Sequence, residues 1–406
     1  MLEKEYDVII IGAGVAGCVA ALKLVANGKR VLLVEKLKKI GSHNSRKLDV
    51  TESQGIADIT AELNLPFNGK FNRSIWYSPN ANFELDSRVY DYYVLRGSDV
   101  DSFESIVSNR IKSFGGTVLT NAEITNYNFE NEYVKSVVIN YNNRHQVVNC
   151  KYLFFADGHH SKSLEIFGIK ERPGPTFIGY GEICVNSELK AGVTHVFFDS
   201  KLAPGGYFYL GKADNGEVLS SIVINKALQG NISIKTYYQN FIAANANILK
   251  LLGKYKVKNS FVGMGKTGII SRRSLRNMAL LGDAGRTMDP IFGYGVRQAI
   301  ISGYMAAVSA IDCLNNKKRD LDEYEDKLNK SVFQGRETEN QKFRNFIDHL
   351  NNEELDYAFK SIETIGLSTS LDDFFDNPFN NIGMLLNVTL KKPKLLTTVI
   401  IKFFLA

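Results

Sequence analysis

Three glycines and one acid near the start of the chain have the types and spacing that bind a dinucleotide. Gly12, Gly14 and Gly17 form a G-x-G-x-x-G pattern at the point where a strand should become a helix. The first glycine permits a tight turn, the second lets a pyrophosphate approach the backbone, and the third lets the helix pack close to the sheet. Glu35 stands where a carboxylate accepts hydrogen bonds from the hydroxyls of an adenosine ribose and repels a 2′-phosphate. We therefore predict a dinucleotide site, against the alternative of a tight turn that binds nothing.

Two later motifs provide further groups that could bind such a ligand. An apolar run ends in Ala156-Asp157-Gly158, and a second one ends in Gly282-Asp283, whose carboxylate could accept a hydroxyl of a polyol chain. The alternative role of Asp283 is a helix N-cap. Asp289-Pro290 and a glycine-rich turn that opens a helix follow, and amides at a helix N-terminus favour an anion or a carbonyl oxygen.

The elements that must position these motifs can be predicted from the pattern of apolar residues. Val8–Ile11 and Val31–Val34 are continuous apolar runs, as expected of strands that are buried on both faces. Residues 37–55 are polar and rich in turn residues. We expect strands at residues 72–86 and 177–224, and helices at 56–63, 101–114, 233–251 and from 321 onward, with a turn near Asn377-Pro378.

Length and composition exclude several classes of protein. The 406 residues predict two or three domains, and 44% hydrophobic with 23% charged residues is typical of a globular protein. The net charge of +6 is spread along the chain, so nucleic-acid binding is not expected. The four cysteines are far apart, which predicts no disulfide, no metal site and a reducing cytoplasm. We expect no signal peptide and no membrane-spanning helix.

The end of the chain, residues 384–406, is apolar with a cluster of lysines. It predicts either a packed helical hairpin or a surface that lies on an anionic membrane or shields a lipid tunnel. A protein in the cytoplasm with peripheral contact to a membrane surface fits the second interpretation.

The three motifs, in this order, resemble the FAD-dependent oxidoreductases of the p-hydroxybenzoate hydroxylase fold. The resemblance covers the whole chain and implies an α/β fold. A Rossmann-like FAD-binding domain would comprise residues 1–71, 95–165 and 262–315. An inserted antiparallel β-sheet domain for the substrate would comprise 72–94 and 166–261, and a C-terminal helical region 316–406. The cofactor implied is FAD rather than an exchanging NAD.

Within that fold the chain resembles the geranylgeranyl reductases, including archaeal digeranylgeranylglycerophospholipid reductases. The resemblance rests on Gly282-Asp283-Ala284-Gly285, on Asp289-Pro290 with Gly293-x-Gly295, on Pro204-Gly205-Gly206-Tyr207-Phe208-Tyr209 and on the Lys-Lys-Pro-Lys-Leu-Leu tail. The family has P-x-x-Y-x-W-x-F-P in the sheet that roofs the substrate. In this chain Tyr209 replaces the tryptophan, and the final Phe-Pro is absent. The family's cysteine in the loop after the ribose acid is also absent, because this chain has Ser45-Arg46-Lys47-Leu48-Asp49 there.

The resemblance assigns site residues to this chain. The residues implied for FAD are Gly12, Gly14, Val15, Ala16, Gly17, Glu35, Lys36, Arg46, Lys47, Arg96, Ala122, Ala156, Asp157, Gly158, Gly282, Asp283, Asp289, Pro290, Gly293, Gly295 and Val296. Those implied for the substrate are Pro204, Tyr207, Tyr209 and Phe292. Tyr207 and Tyr209 are also the candidates for catalysis, because their phenols could position water or donate a hydrogen bond. His159 and His160, which follow the Asp-Gly turn, and Lys47 and Asp49, in the loop after the ribose acid, are further candidates, against the alternative that they face solvent.

The activity implied is the hydrogenation of C=C bonds in geranylgeranyl chains of isoprenoid or archaeal-type lipids. A prenylated lipid or a prenyl diphosphate would be the substrate. An isolated alkene needs a proton on its less substituted carbon and a hydride on the tertiary centre, with water excluded. The external reductant, NAD(P)H or a ferredoxin-like electron-donor protein, is left open because no second dinucleotide motif is visible.

Two other functions compete with this one. The chain could be a flavin-dependent hydroxylase of an apolar substrate that uses NAD(P)H and oxygen, an alternative that the missing cysteine and the altered roof favour. It could also be a non-catalytic prenyl-binding protein, since the Rab escort and dissociation-inhibitor proteins share a related fold. The three intact motifs argue against the non-catalytic role.

Overall fold

The computed structural model describes residues 2–43, 46–159, 162–333 and 337–365. The predictions made for His160, for Ser45 and for the lysine-containing tail lie outside these residues.

The described part of the chain alternates strands and helices along its whole length. The strands are β1 Glu5–Ile11, β2 Val31–Val34, β3 Lys47–Thr51, β4 Lys70–Tyr77, β5 Asn82–Arg96, β6 Thr117–Leu119, β7 Ala122–Glu130, β8 Tyr133–Tyr141, β9 Arg144–Phe155, β10 Arg172–Val185, β11 Val193–Phe197, β12 Tyr207–Lys212, β13 Val218–Asn225, β14 Lys256–Ile269, β15 Ser274–Leu275 and β16 Met278–Leu280. The α-helices are α1 Val15–Ala26, α2 Ala57–Leu63, α3 Phe103–Ser113, α4 Ser163–Ile166, α5 Ile234–Ala244, α6 Ala246–Leu252, α7 Val296–Asn315, α8 Asp322–Leu328, α9 Glu337–Asp348 and α10 Asn352–Ile365.

The first sheet has the order β15-β16-β9-β1-β2-β6, and β7 and β8 extend it from β9. Strands β16, β9, β1, β2 and β6 run parallel to one another, whereas β15 and β8 pair antiparallel with β16 and β9. The central strands β1 and β2 are almost entirely buried, as their continuous apolar sequences predict. Helices α1, α3 and α7 share one hydrophobic core on one face of this sheet. A second cluster that includes Leu153, Phe155 and Phe167 fills the other face.

Glycines let the helices of the first core approach each other and the sheet. A Cβ atom at Gly303 of α7 would lie 2.3 Å from the carbonyl oxygen of Ala16 in α1. A Cβ atom at Gly17 would lie 2.0 Å from the carbonyl oxygen of Gly12. Real Cβ atoms do not come this close to backbone oxygens, so the contacts between these backbones require residues without side chains.

The second sheet has the order β14-β10-β13-β12-β11-β4-β5-β3. Strand β3 corrects the prediction of a turn-rich loop at 37–55, because Leu48 becomes fully buried when β3 pairs with β5. The helix predicted for 233–251 is instead two helices, α5 and α6. The break falls at Asn245, whose extended backbone ends α5 and whose side chain accepts a hydrogen bond from the amide of Asn247 to cap α6.

The two faces of the second sheet are covered by different elements. Helices α5 and α6 pack on one face around Phe208 and Phe241, whose rings stack with centroids 5.0 Å apart. On the other face lie the turn that contains Phe292 and the helices α9 and α10. Phe359 of α10 meets Phe83 edge-on at 4.9 Å, and Asp356 accepts hydrogen bonds from Ser78 and Asn80. This face therefore encloses an aromatic layer between the sheet and the C-terminal helices.

We predict that Gly303→Ala lowers the free energy of unfolding by about 1–3 kcal/mol, the usual cost of inserting a methyl group into a packed core. The added Cβ would force α7 away from α1. Urea titration followed by circular dichroism measures the effect. Gly263→Ala is the matched control, because a Cβ at Gly263 meets nothing within 4 Å. Equal unfolding midpoints for the two variants would contradict the proposed contact.

Candidate active site

The predicted motifs come together at the carboxyl edge of the first sheet. Ile11 of β1 lies beside Val34 of β2 and Phe155 of β9, and Phe155 lies beside Leu280 of β16. The residues that follow these strands therefore form one row. They are Gly12, Glu35, Ala156-Asp157-Gly158 and Gly282-Asp283. Ligands of open α/β sheets bind at this edge, where the strand order changes direction.

The three glycines of the first motif have different roles in the structure. Gly12 has φ +98°, and a Cβ there would lie 2.4 Å from the carbonyl oxygen of Ala156. Gly14, the residue before α1, faces open space, since a Cβ would meet nothing within 4 Å. The first-turn amides of α1, from Val15 to Gly17, have no acceptor within the helix and favour an anion at this end. Gly12 and Gly17 thus serve packing, and Gly14 leaves room for a phosphate.

Glu35 is held in place by the backbone on both sides. Its Oε2 accepts from the amide of Ala13 at 3.0 Å and its Oε1 accepts from the amide of Leu37 at 3.0 Å. The residue is 7% exposed and its carbonyl oxygen accepts from the amide of Ala122. Lys36 is exposed beside it. The carboxylate is therefore fixed at the sheet edge, where an adenosine ribose would meet it.

The third motif forms a 3-10 turn at Gly282–Gly285 after β16. Burial raises the pKa of Asp283, and the positive charges of Lys47, Arg96 and Arg286 act in the opposite direction. A Cβ at Gly295, the residue before α7, would lie 3.6 Å from Oδ1 of Asp283. The carboxyl group of Asp283 therefore lies at the N-terminus of α7 and among cations, which is a site for a polar chain.

Asp289 closes the turn that leads into α7. Its Oδ2 accepts from the amide of Phe292 at 2.7 Å, and its own amide donates to the carbonyl oxygen of Tyr294 at 2.9 Å. Burial raises the pKa of this carboxyl group, and the amides of Phe292 and Ile291 lower it. Pro290 is buried, and Gly293 has φ +78°. The turn is thereby held rigid, with Gly293, Gly295 and Val296 at the start of α7.

The cations predicted to bind FAD are engaged in ion pairs. Arg96 pairs with Glu104 of α3 and, through Nη1, with Oδ2 of Asp49 at 3.2 Å. The ammonium group of Lys47 lies 3.1 Å from the same carboxylate oxygen of Asp49. These three side chains lie on β3 and β5, and the positive charges of Lys47 and Arg96 act on Asp283. Arg46 instead pairs with a different set of acids, namely Asp99, Asp101 and Glu217.

A small cavity lies between the second sheet, near the end of its edge strand β3, and the turn at Tyr294. Its apolar wall includes Val50, Phe71, Trp76 and Val196. Its polar wall includes Glu52, Ser74, Asp91, Thr194, Tyr209 and Tyr294. The hydroxyls of Ser74 and Thr194 bond to each other at 2.8 Å, and the indole N–H of Trp76 also donates to Ser74. The cavity wall therefore combines aromatic and aliphatic side chains with two carboxyl groups, two aliphatic hydroxyls and two phenols.

The roof strand β12 places its tyrosines beside this cavity. Tyr207 donates to the carbonyl oxygen of Phe292 at 3.0 Å, and Tyr209 lines the cavity with its hydroxyl 3.5 Å from that of Tyr93. Burial raises the pKa of both Tyr207 and Tyr209. Tyr207 therefore ties the roof to the turn, and its only hydroxyl proton is engaged. Pro204 stands just before this strand and is half-buried.

The remaining predicted residues lie near the sheet edge. Asp157 is exposed, Gly158 has φ +80° with open space around its Cα, and His159 is half-buried. Sequence reasoning missed Glu52, Asp91 and Trp76 as cavity residues. Their only signal is alternation: Val50 and Glu52 share one side of the chain, as do Asp91 and Tyr93. Across the described ranges no three His, Cys, Asp or Glu side chains gather closely enough to hold a metal ion.

This edge fits a flavin dinucleotide. It has an open glycine position for the pyrophosphate, a fixed carboxylate for the ribose and a second carboxyl group beside a helix N-terminus. The chain belongs to the family described as FAD binding domain, whose family model matches residues 5–334. It is an FAD-dependent oxidoreductase, and the predicted cofactor is confirmed.

Similar proteins extend this assignment over nearly the whole chain. The digeranylgeranylglycerophospholipid reductase of Methanosarcina acetivorans is 24% identical over 80% of this chain and 80% of its own length. The protein of that name from Sulfolobus acidocaldarius is 26% identical over 89% of this chain and 81% of its own. A geranylgeranyl bacteriochlorophyll reductase-like structure from Thermoplasma acidophilum superposes with a TM-score of 0.78 at 21% identity, over 98% and 99% of the two chains. The predicted fold class is confirmed. Within the described residues no helix is long and apolar enough to cross a membrane.

We predict that Glu35→Gln weakens FAD binding by about ten- to a hundredfold, because hydrogen bonds to a charged group contribute about 1.5–3 kcal/mol. Titration of the apoprotein with FAD, followed by quenching of flavin fluorescence, measures the affinity. Glu123→Gln, an exposed position on β7, is the control and should bind like the wild type. An unchanged affinity in Glu35→Gln would show that the ribose lies elsewhere.

Proposed function

We propose that the protein hydrogenates C=C bonds in the geranylgeranyl chain of a lipid or of a prenyl diphosphate. The observation that carries this proposal is the cavity between β3, the turn at Tyr294 and the roof strand β12. The aromatic and aliphatic part of its wall suits an apolar chain, and Tyr294, which lines it, directly precedes Gly295 beside Asp283. The two archaeal relatives are named as digeranylgeranylglycerophospholipid reductases, which supports the same substrate class.

Residues at the carboxyl edge of the first sheet would hold FAD. Gly14, Glu35 and Asp283 would hold the pyrophosphate, the ribose and the polyol part of FAD. Lys47 and Arg96 would keep Asp283 in a positive environment, as the electrostatics of that carboxyl group support. Reduced FAD supplies the hydride in such a reaction.

The aromatic layer would align the prenyl chain and exclude water from it. Tyr207 and Phe292 join the roof to the turn, and Phe359 of α10 packs against Phe198 at 5.6 Å to close the far side. Alignment of reacting atoms within about 3–3.5 Å is the main requirement of such a step. We propose that Tyr209 and Pro204 contribute to the same wall.

We also propose a role for each of the three predicted domains and two kinds of partner. Residues 1–71, 95–165 and 262–315 would hold FAD, residues 72–94 and 166–261 would cover the substrate, and 316–406 would complete the helical region. Strand β3 joins the two parts, since it lies in the first range and pairs with β5 in the second sheet. A lipid substrate would require contact with a membrane surface, and an external donor of electrons would reduce the flavin.

We predict that the purified protein is yellow and that it adds pairs of hydrogens to a geranylgeranylated lipid. The protein, the lipid and dithionite are incubated without oxygen, and mass spectrometry measures gains of about 2 Da per bond reduced. Heat-unfolded protein with free FAD is the control for chemical reduction by dithionite.

Two results would overturn this function. A colourless protein that takes up no added FAD would exclude a flavin-dependent reaction. No gain in mass, together with NAD(P)H consumption that depends on oxygen and on an apolar substrate, would show that the protein is a hydroxylase.

A further inference from the structure

The positive charge of the chain is concentrated on one stretch. Residues 218–282 contain ten lysines and arginines and no aspartate or glutamate. Because these are ten of the 49 basic residues, the rest of the chain has 39 basic and 43 acidic residues and a net charge of −4. This distribution corrects the expectation of a charge that is spread along the chain. The stretch includes α5, α6 and β14.

The same stretch also exposes apolar side chains. It comprises only 65 of the 406 residues, yet it has five of the eleven large hydrophobic side chains that are exposed in the described part of the chain. These five are Leu228, Ile232, Leu249, Val257 and Val262. Val262 is 61% exposed. Positive charge and exposed apolar surface therefore occur together.

Strand β14 forms the centre of this surface. It lies at one end of the second sheet, and among the described strands its only partner is β10. Val257 pairs with Cys184 and Val262 pairs with Tyr180, and both partners belong to the core beneath α5 and α6. Directly paired residues project on the same face of a sheet. The two valines therefore lie at the free edge of the face that carries these helices.

Lysines flank the two valines at both ends of the strand. At one end the ammonium group of Lys226 lies 4.0 Å from Sδ of Met264. At the other end α6 leads into β14, and three exposed lysines lie there, namely Lys250, Lys254 and Lys256. The exposed side chains of residues 226–232, 249–257 and 262 are called the basic edge below. One acid, Glu188, is exposed beside Gly253 at the same end.

Two other roles explain the basic edge less fully. Lysines on an edge strand prevent it from pairing with another sheet. That role requires neither exposed valines nor lysines outside the strand, such as Lys226 and Lys250. A second copy of the same surface is a poor partner, because two surfaces with this charge repel each other.

We propose that the basic edge binds the surface of a membrane that contains anionic lipids. This inference deepens the proposed function and rests on it, because a membrane holds the lipid that the protein would reduce. The ammonium groups would contact the phosphates of the lipids, and the exposed valines and leucines would enter the apolar layer beneath the head groups. A soluble acidic protein would be attracted by the lysines alone and would leave those apolar side chains without a role.

The first test removes positive charge from the basic edge. One variant combines Lys250→Gln, Lys254→Gln and Lys256→Gln. Its holoprotein should bind vesicles of phosphatidylglycerol and phosphatidylcholine at least about tenfold more weakly than the wild type does, since each lysine near an anionic surface contributes to binding. Sedimentation with the vesicles measures the affinity. The matched control replaces three exposed lysines elsewhere and should bind like the wild type; it combines Lys4→Gln, Lys112→Gln and Lys317→Gln.

The second test changes the apolar part of the basic edge. Val262→Asp should weaken binding to the same vesicles by about fivefold or more, because a carboxylate is repelled by anionic lipids and does not enter the apolar layer. Val147→Asp, on β9, is the matched control, since Val147 is 59% exposed, and it should bind like the wild type. FAD content and the thermal unfolding midpoint show that each variant is folded.

Three results would overturn the inference. The first is a wild type that binds no anionic vesicles, or binds vesicles of phosphatidylcholine alone equally well. The second is a triple lysine variant that binds like the wild type. The third is unchanged vesicle binding by Val262→Asp, together with equal losses of affinity for vesicles and for soluble polyglutamate in the triple lysine variant. That result would indicate a soluble acidic partner.

Vesicle binding needs no turnover, so these results are independent of the proposed reaction. If the wild type binds through the basic edge but adds no hydrogens to a geranylgeranylated lipid, the function is wrong and the membrane surface stands. If it adds hydrogens to the lipid in detergent and binds no anionic vesicles, the function stands and the membrane surface is wrong.

Discussion

The contact between the backbones of Gly12, Gly17 and Ala156 is the constraint on which the rest of the structure depends. Gly17 lies against the carbonyl oxygen of Gly12, and Gly12 lies against that of Ala156, so no side chain fits at either glycine. This contact seats α1 directly on β1 and β9, and Gly303 lets α7 pack directly on α1. The parallel strands therefore end at the same edge of the sheet, and a dinucleotide can bind at that edge.

A network of buried charges joins that edge to the second sheet. Arg96 at the end of β5 pairs with Glu104 of α3 and with Asp49 of β3, and Lys47 pairs with Asp49 as well. Removing one partner of such a pair leaves an uncompensated charge and costs about 3–5 kcal/mol. The network therefore holds β3 in place, and β3 carries both the residues beside Asp283 and the approach to Glu52. Positions in the two sheets are coupled through this one strand.

The aromatic layer over the second sheet makes the surroundings of the cavity apolar. Trp76, Phe198, Tyr207 and Phe292 pack at ring distances between 5.1 and 6.3 Å, and α9 and α10 cover them. Arg344 of α9 is buried and donates to the carbonyl oxygen of Ile291 at 2.6 Å, so the turn before α7 is attached to the C-terminal helices. A wall of this kind excludes water, and acidic side chains are unusual within it.

The sequence by itself determined the parts of this protein whose signals are local. The glycine pattern, the acid after the second strand and the apolar runs depend on neighbours within one βαβ unit, and they were enough to predict a dinucleotide site. The fold class and FAD were implied by the resemblance that this unit carries together with the two later motifs, each of which is also a short local pattern. The break at Asn245 and the strand β3 were missed, because a side-chain cap and a pairing with distant β5 outweigh local pattern. Only the tertiary structure decided which acids face the cavity. Glu52 and Asp91 lie far apart in the chain and look like ordinary polar residues, and strand pairing alone places them side by side.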